Sequence, residues 1–244
     1  MFVNGVNLHV VQAGPADGPL VILLHGFPEF WYGWRGQMAA LAEAGFCVWA
    51  PDQRGYNRSD KPQGLDAYRL DTLATDVLGL IDAAGRERAH IVGHDWGAAV
   101  TWRVANRYPQ RVATASILNV PHPMVMSKYI LSHPTQMLRS FYIGFFQIPT
   151  LPERLLGLDD WQPMVDAMRG TAPRGLFPDD VMRGYREAWS QPGAMTGMIN
   201  WYRAAMNDLM AANDLGRTIE VPTLICWGEK DVALEVSTLD GVEQ

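Results

Sequence analysis

Cysteine is nearly absent from this chain: Cys47 and Cys226 are the only two in 244 residues, too few for a small disulfide-built scaffold. Both sit in apolar, strand-like runs, so they are expected to be buried free thiols without a redox role. Positive charge is also scarce, with 20 Lys and Arg against 26 Asp and Glu and a net charge of -6. That balance leaves no basic footprint for DNA or RNA. Long hydrophobic runs are missing too, since none approaches the roughly 18 to 20 residues that span a bilayer, and the N-terminus has no basic n-region. No membrane partner is expected, and the cytoplasm is the expected location. Internal repeats and low-complexity linkers are absent as well.

What remains is ordinary material for a large core. Hydrophobic residues make up 48% and charged residues 19%, and the length suits one core carrying an insertion. Phe2 to Gln12 holds Asn4-Gly5 between β-rich segments, a hairpin signal. The runs Leu20 to Leu24, Phe46 to Ala50, Ala89 to Val92, Val112 to Leu118 and Thr223 to Trp227 have strand length and are continuously apolar, as strands buried on both faces of a parallel sheet are. Between them, Asp71 to Ala84 and Ala98 to Arg107 carry helical spacing. Alternating strand and helix indicates a doubly wound, mostly parallel α/β sheet.

The alternation stops after Asn119 at Pro121-His122-Pro123 and resumes at Glu220-Val221-Pro222. The stretch between is rich in Met, Trp, Tyr, Phe, Pro and Arg, with helix-like pieces at Met124 to Leu131, Pro178 to Trp189 and Gly193 to Ala212. The expected organisation is a core over 1–123, a helical cap over 124–216 and a return to the core over 217–244. Such a cap would lie over the carboxyl ends of the strands.

The chemistry centres on Ile91-Val92-Gly93-His94-Asp95-Trp96-Gly97-Ala98-Ala99-Val100, a strand-to-helix turn whose small residues flank a single carboxylate. It reads as a nucleophile elbow with Asp95 where G-x-S-x-G has serine. An aspartate is already ionised at neutral pH and can attack saturated carbon without a base, so an alkyl ester is the expected intermediate. His25-Gly26-Phe27-Pro28 follows the strand Leu20 to Leu24, where the second half of an oxyanion hole is placed in such folds. The backbone N–H groups of Phe27 and Trp96 are the candidates. The alternative for Gly26 and Pro28 is a plain tight turn with a cis Phe27-Pro28 bond.

Asp231 lies just past the strand Thr223 to Trp227 and so reaches the same sheet edge as Asp95, where an acid can orient a catalytic histidine. Glu229 and Asp240 are its rivals, and Asn119, at the other position open to such an acid, is an amide. The histidines are His9, His25, His90, His94, His122 and His133. None follows Asp231, although the order nucleophile, acid, histidine requires one there. His25 and His94 lie near the site but belong to turn motifs. His90 and His94 straddle a strand and a turn without a neighbouring glutamate, so no metal site is expected.

Together these residues resemble the α/β-hydrolase-fold epoxide hydrolases over essentially the whole chain. His25-Gly26-Phe27-Pro28-Glu29-Phe30-Trp31-Tyr32-Gly33-Trp34-Arg35 is similar to the family's HGFPE-x-W-x-x-WR segment, Pro51-Asp52-Gln53-Arg54-Gly55-Tyr56 to its PD-x-RGY loop, and Gly93 to Gly97 to its GHDWG elbow. The resemblance implies Asp95 as nucleophile and Asp231 as orienting acid. It also implies two cap tyrosines that hydrogen-bond the epoxide oxygen: Tyr202, in Asn200-Trp201-Tyr202-Arg203, and Tyr142, in Phe141-Tyr142-Ile143-Gly144-Phe145-Phe146-Gln147. A phenol of pKa about 10 can donate a hydrogen bond or a proton to the alkoxide of the opening ring. Packed cap aromatics are the alternative, with Tyr129, Tyr185 and Tyr32 as other candidates.

Phe27, Pro28, Trp96 and Trp201 would line the substrate site. The implied partners are a small lipophilic epoxide and water, with no cofactor, in a monomer or homodimer with a detoxifying role. A haloalkane dehalogenase would use the same elbow with Trp96 clamping the halide, but Phe27 stands where an asparagine often serves as second donor, and a fluoroacetate-type dehalogenase fits the Trp96 elbow still less well. A non-turnover ligand-binding protein or inactive remnant of the fold is the rival from another class, and the absent histidine is its support. The fold's usual last strand and covering helix are not among these residues, so an incomplete sequence is favoured over an inactive remnant. As written, the chain is expected to form the ester and to stop there.

Overall fold

The computed structural model describes residues 1–210 and 218–240. Phe2–Val3 (β1) and Val6–Asn7 (β2) form the expected hairpin, with Val3 opposite Val6. Asn4 (φ 46°) and Gly5 (φ 78°) both take the left-handed conformation that a two-residue hairpin turn demands.

The main sheet contains Val10–Ala13 (β3), Leu20–Leu24 (β4), Cys47–Pro51 (β5), Ala89–His94 (β6), Val112–Leu118 (β7) and Thr223–Cys226 (β8), in the order β3-β5-β4-β6-β7-β8. Only β3 runs antiparallel to its neighbour. Three helices connect these strands: Arg35–Glu43 (α1), Leu70–Ala83 (α2) and Trp96–Arg107 (α3). The apolar run of β4 is divided between two faces by its alternating side chains. Leu20, Ile22 and Leu24 join the cluster that includes α2 and α3, while Val21 and Leu23 pack with Met38 of α1. α1 was not anticipated from the pattern of apolar residues, of which only Met38 is buried.

Strand β8 departs from expectation. The run Thr223 to Trp227 reads as a strand buried on both faces, yet Leu224 is 60% exposed and Cys226 is an exposed thiol, unlike the buried Cys47. Among the described residues β8 is an edge strand, paired with β7 alone. Ile225 packs with Ala98 and Trp102 of α3, and the neighbouring side chains face away from that helix.

Between β7 and β8 every regular described element is a helix: Pro123–Ser132 (α4), Pro134–Arg139 (α5), Phe141–Phe146 (α6), Leu151–Leu156 (α7), Leu158–Thr171 (α8), Asp179–Trp189 (α9) and Ala194–Met210 (α10). The three expected cap helices are α4, α9 and α10. Ala212, the expected end of the last one, lies outside the described residues, as do 211–216 of the expected cap and 217 and 241–244 of the return segment. Helix α9 shows how this layer packs: Val181, Met182, Tyr185, Ala188 and Trp189 are buried, one stripe at helical spacing. Among the described residues, no helix is long and apolar enough to cross a membrane.

Candidate active site

β6 ends at His94 and α3 begins at Trp96, leaving Asp95 alone at the turn with φ 51° and ψ -123°. A carboxylate-bearing residue holds this uncommon conformation only where its surroundings enforce it, and close backbone packing does so here. A Cβ on Gly97 would overlap the Leu24 carbonyl, and one on Gly26 would overlap the Asp95 carboxylate itself. Glycine at those two positions lets the elbow and the loop after β4 close upon each other.

The Phe27 N–H consequently donates to Asp95 Oδ1 at 2.7 Å, and the Trp96 N–H also hydrogen-bonds this carboxylate. Burial raises the Asp95 pKa, opposed by His94 and the two N–H donors and reinforced by the negative charge of Asp231. When ionised, this carboxylate is poorly solvated and held by two directed donors, a suitable state for a nucleophile. The Phe27-Pro28 bond is cis, and the Pro28 carbonyl accepts from Trp189 Nε1 at 2.7 Å.

Above the carboxylate stands an aromatic cluster contributed by the cap. Tyr202 of α10 lies edge-on to Trp96 (ring centroids 4.9 Å apart) and to Phe27 (5.5 Å), while Tyr142 of α6 lies 5.8 Å from Tyr202. Burial pushes both phenols up, and the Asp95 charge adds to this effect, so both remain protonated donors across the neutral range. Phe146 sits among them, 4.8 Å from Tyr202 and 5.4 Å from Phe27. It was not singled out from sequence, although Tyr142 and Phe146 are four apart and therefore share a helical face.

The other tyrosines are engaged elsewhere. Tyr185 donates to Glu29 Oε1 at 3.0 Å, Tyr129 hydrogen-bonds Glu235 and Ser237, and Tyr32 stacks beneath the Arg35 guanidinium. Trp201 is buried, and its Nε1 donates to the Arg54 carbonyl at 2.9 Å. That polar group is directed at the core, while its ring lies 5.8 Å from Trp96.

Asp231 occupies the loop after β8, its Oδ1 accepting from the Ala233 N–H (2.7 Å) and the Leu234 N–H (2.9 Å), and its Oδ2 from Asn119 Nδ2. Asn119 thus does more than leave a position without an acid. Its Oδ1 accepts from the Gly228 N–H and its own N–H donates to the Cys226 carbonyl, tying the ends of β7 and β8 together around Asp231. Arg139 of α5 donates to the Asp231 carbonyl at 3.0 Å. Glu229 and Asp240 are exposed.

Among the described residues no histidine hydrogen-bonds Asp231. His25 is buried, accepts from the Gln53 N–H at Nε2 and faces the Gly26 carbonyl at Nδ1. Burial lowers its pKa to about 4, which suits a neutral structural imidazole. His94 lies beside Asp95, its Nδ1 3.9 Å from Glu29 Oε2. His9 pairs with Asp52, His90 with Thr114, His122 caps α4 and His133 stacks on Tyr129. Among the described residues no three metal-ligating side chains cluster.

A parallel sheet with a strand-to-helix elbow and a helical layer over it defines a class, and residues 19–239 match the family model of the alpha/beta hydrolase fold. The AB hydrolase superfamily protein YfhM of Bacillus subtilis is 47% identical over 93% of this chain and 79% of its own length. Epoxide hydrolase A of Mycobacterium tuberculosis is 37% identical over 97% of this chain and 83% of its own. The crystal structure of Bacillus megaterium epoxide hydrolase in complex with an inhibitor superposes with a TM-score of 0.88 at 32% identity, covering 100% of this chain and 87% of that one. Against the longer mouse epoxide hydrolase 4, 38% identical, the chain spans 65% of the relative's length. The chain belongs to the α/β-hydrolase fold family, among its epoxide hydrolases.

Proposed function

We propose that this chain opens a small lipophilic epoxide by attack of Asp95 on a ring carbon. One carboxylate oxygen forms the new C–O bond, the ring C–O bond breaks, and the alkoxide is hydrogen-bonded and then protonated by Tyr202 or Tyr142. The product of this half-reaction is an alkyl ester on Asp95. In the second half, water attacks the ester carbonyl and the resulting oxyanion lies against the N–H groups of Phe27 and Trp96; its collapse breaks the bond to the substrate oxygen, restores the Asp95 carboxylate and releases the vicinal diol, and the proton lost by the water returns to the phenolate. The observation that carries the reading is one N–H-bound carboxylate beside two cap phenols, the buried Tyr202 and the partly buried Tyr142.

Ester release calls for a base on the attacking water, and Asp231 with its Asn119 clamp is shaped to orient one. Of the histidines present, His94 lies beside Asp95 and none hydrogen-bonds Asp231. Incubation with an aryl epoxide, followed by intact-mass spectrometry beside a diol assay, tests the proposed reaction. A mass increase equal to the epoxide, absent in Asp95→Asn, supports the reading. The absence of both adduct and diol contradicts it.

A further inference from the structure

The turn Gln53-Arg54-Gly55-Tyr56 touches both halves of the site without contributing a reacting atom. Toward the core, the Gln53 N–H donates to His25 Nε2 at 3.0 Å and its side chain donates to the His25 carbonyl, holding the loop whose Phe27 N–H grips Asp95. Toward the cap, the Arg54 carbonyl accepts from Trp201 Nε1 at 2.9 Å, and the Tyr56 ring meets Trp201 edge-on at 5.5 Å. Gly55, at φ 90°, lies directly against Gly197 of α10. A Cβ on Gly197 would stand 2.6 Å from the Gly55 carbonyl oxygen and 2.8 Å from its Cα. Gly197 and Trp201 are four apart and share one face of the helix, and Tyr202 follows at the next position, about 100° further round.

The turn is anchored from behind. Arg54 and Asp76 of α2 are both buried and paired through two bonds, Nε to Oδ2 at 2.8 Å and Nη2 to Oδ1 at 2.6 Å. Asn4 of the first hairpin donates to Asp76 Oδ1 at 2.7 Å. A bidentate pair supported by a further donor resists rotation of the guanidinium, so the backbone around Arg54 is held in place. A helix seated glycine to glycine on such a turn, with one indole N–H engaged, cannot roll or slide without losing that contact.

We propose that this turn is the seat that sets the height and rotation of α10, and that Trp201 and Gly197 are positioning residues that place the Tyr202 hydroxyl over Asp95. The inference rests on the epoxide-opening reading above. The same turn braces the Phe27 loop, so nucleophile and phenol are located against one common reference. Displacement of a catalytic group by about 1 Å can cost a hundredfold in rate, and a Cβ forced into the Gly55–Gly197 contact demands a shift of that order.

The test is a double-mutant cycle on the single-turnover rate of ester formation with styrene oxide, in wild type, Trp201→Phe, Tyr202→Phe and the double variant. Tyr142 keeps the reaction measurable when Tyr202 is phenylalanine. Trp201→Phe is expected to slow ester formation by about tenfold, leaving the half-saturating epoxide concentration within about twofold. In the Tyr202→Phe background the same substitution is expected to add almost nothing, since the group it positions is gone. Gly197→Ala repeats the cycle through the glycine contact and stands in if Trp201→Phe fails to fold. Equal slowing in both backgrounds, or none in either, overturns the positioning role. Absence of wild-type ester, or ester persisting in Asp95→Asn, instead overturns the reading beneath it.

Discussion

The two carboxylates of the site inhabit opposite kinds of surroundings. Asp95 lies at the turn that ends the central strand β6, with glycines at the close approaches and two backbone donors on its oxygens. Asp231 lies half-buried on the loop after β8, held by Asn119, two turn N–H groups and an Arg139 bond from α5, while Glu235 of the same loop accepts from Tyr129 of α4. The difference maps onto the two halves of the proposed reaction. Ester formation needs a desolvated carboxylate and a phenol, both supplied by the packed interior. Ester release depends on the peripheral loop and on what that loop can orient.

Changes in each region should affect the two half-reactions unequally. Asp95→Asn should reduce ester formation with an aryl epoxide to background, the largest change expected, because an amide lacks the anionic oxygen that attacks. Tyr202→Phe should slow ester formation by roughly a hundredfold, within the range for loss of a positioned acid, as measured in single turnovers. Tyr142→Phe should behave alike, and the double substitution should approach the Asp95→Asn level. The acid side of the rate profile carries the next effect. The Asp95 pKa is raised by burial, so the nucleophile protonates, and the rate falls, at a higher pH than an ordinary aspartate of about 3.9 would set. A profile of the ester-forming rate from pH 4 to 8, taken where the fold persists, should show that limb displaced upward; a plateau continuing down to an ordinary aspartate's range would contradict it. Asn119→Ala should cost about 1 kcal/mol of stability for its lost bonds around Asp231, read from a denaturant midpoint, while ester formation changes by less than about twofold.

Much of the Asp95 region could be read from the chain because its constraints are local. Gly93, Asp95 and Gly97 sit within five residues, and the apolar runs of β4 and β6 announce buried parallel strands. The cap yielded less. Helices α5 and α7 are six residues each and carry proline in their first turn, where it suits a helix start but reads as an interruption in a linear scan. The Asn119 to Asp231 bond joins residues 112 apart, and the Trp201 N–H reaches the Arg54 carbonyl across 147. No spacing rule encodes such meetings, so the engagement of the Trp201 N–H by the core is not legible in the chain.

On the proposed reading the Asp95 carboxylate itself becomes the ester. The direct measurement is proteolysis of epoxide-treated protein and peptide mass spectrometry of the segment spanning Gly93 to Gly97. A mass increase of one epoxide confined to Asp95 is expected, with one oxygen of solvent label entering its carboxylate when the ester is hydrolysed in labelled water. An adduct on His94, Glu29 or either cysteine, with Asp95 unmodified while diol is formed, would contradict it.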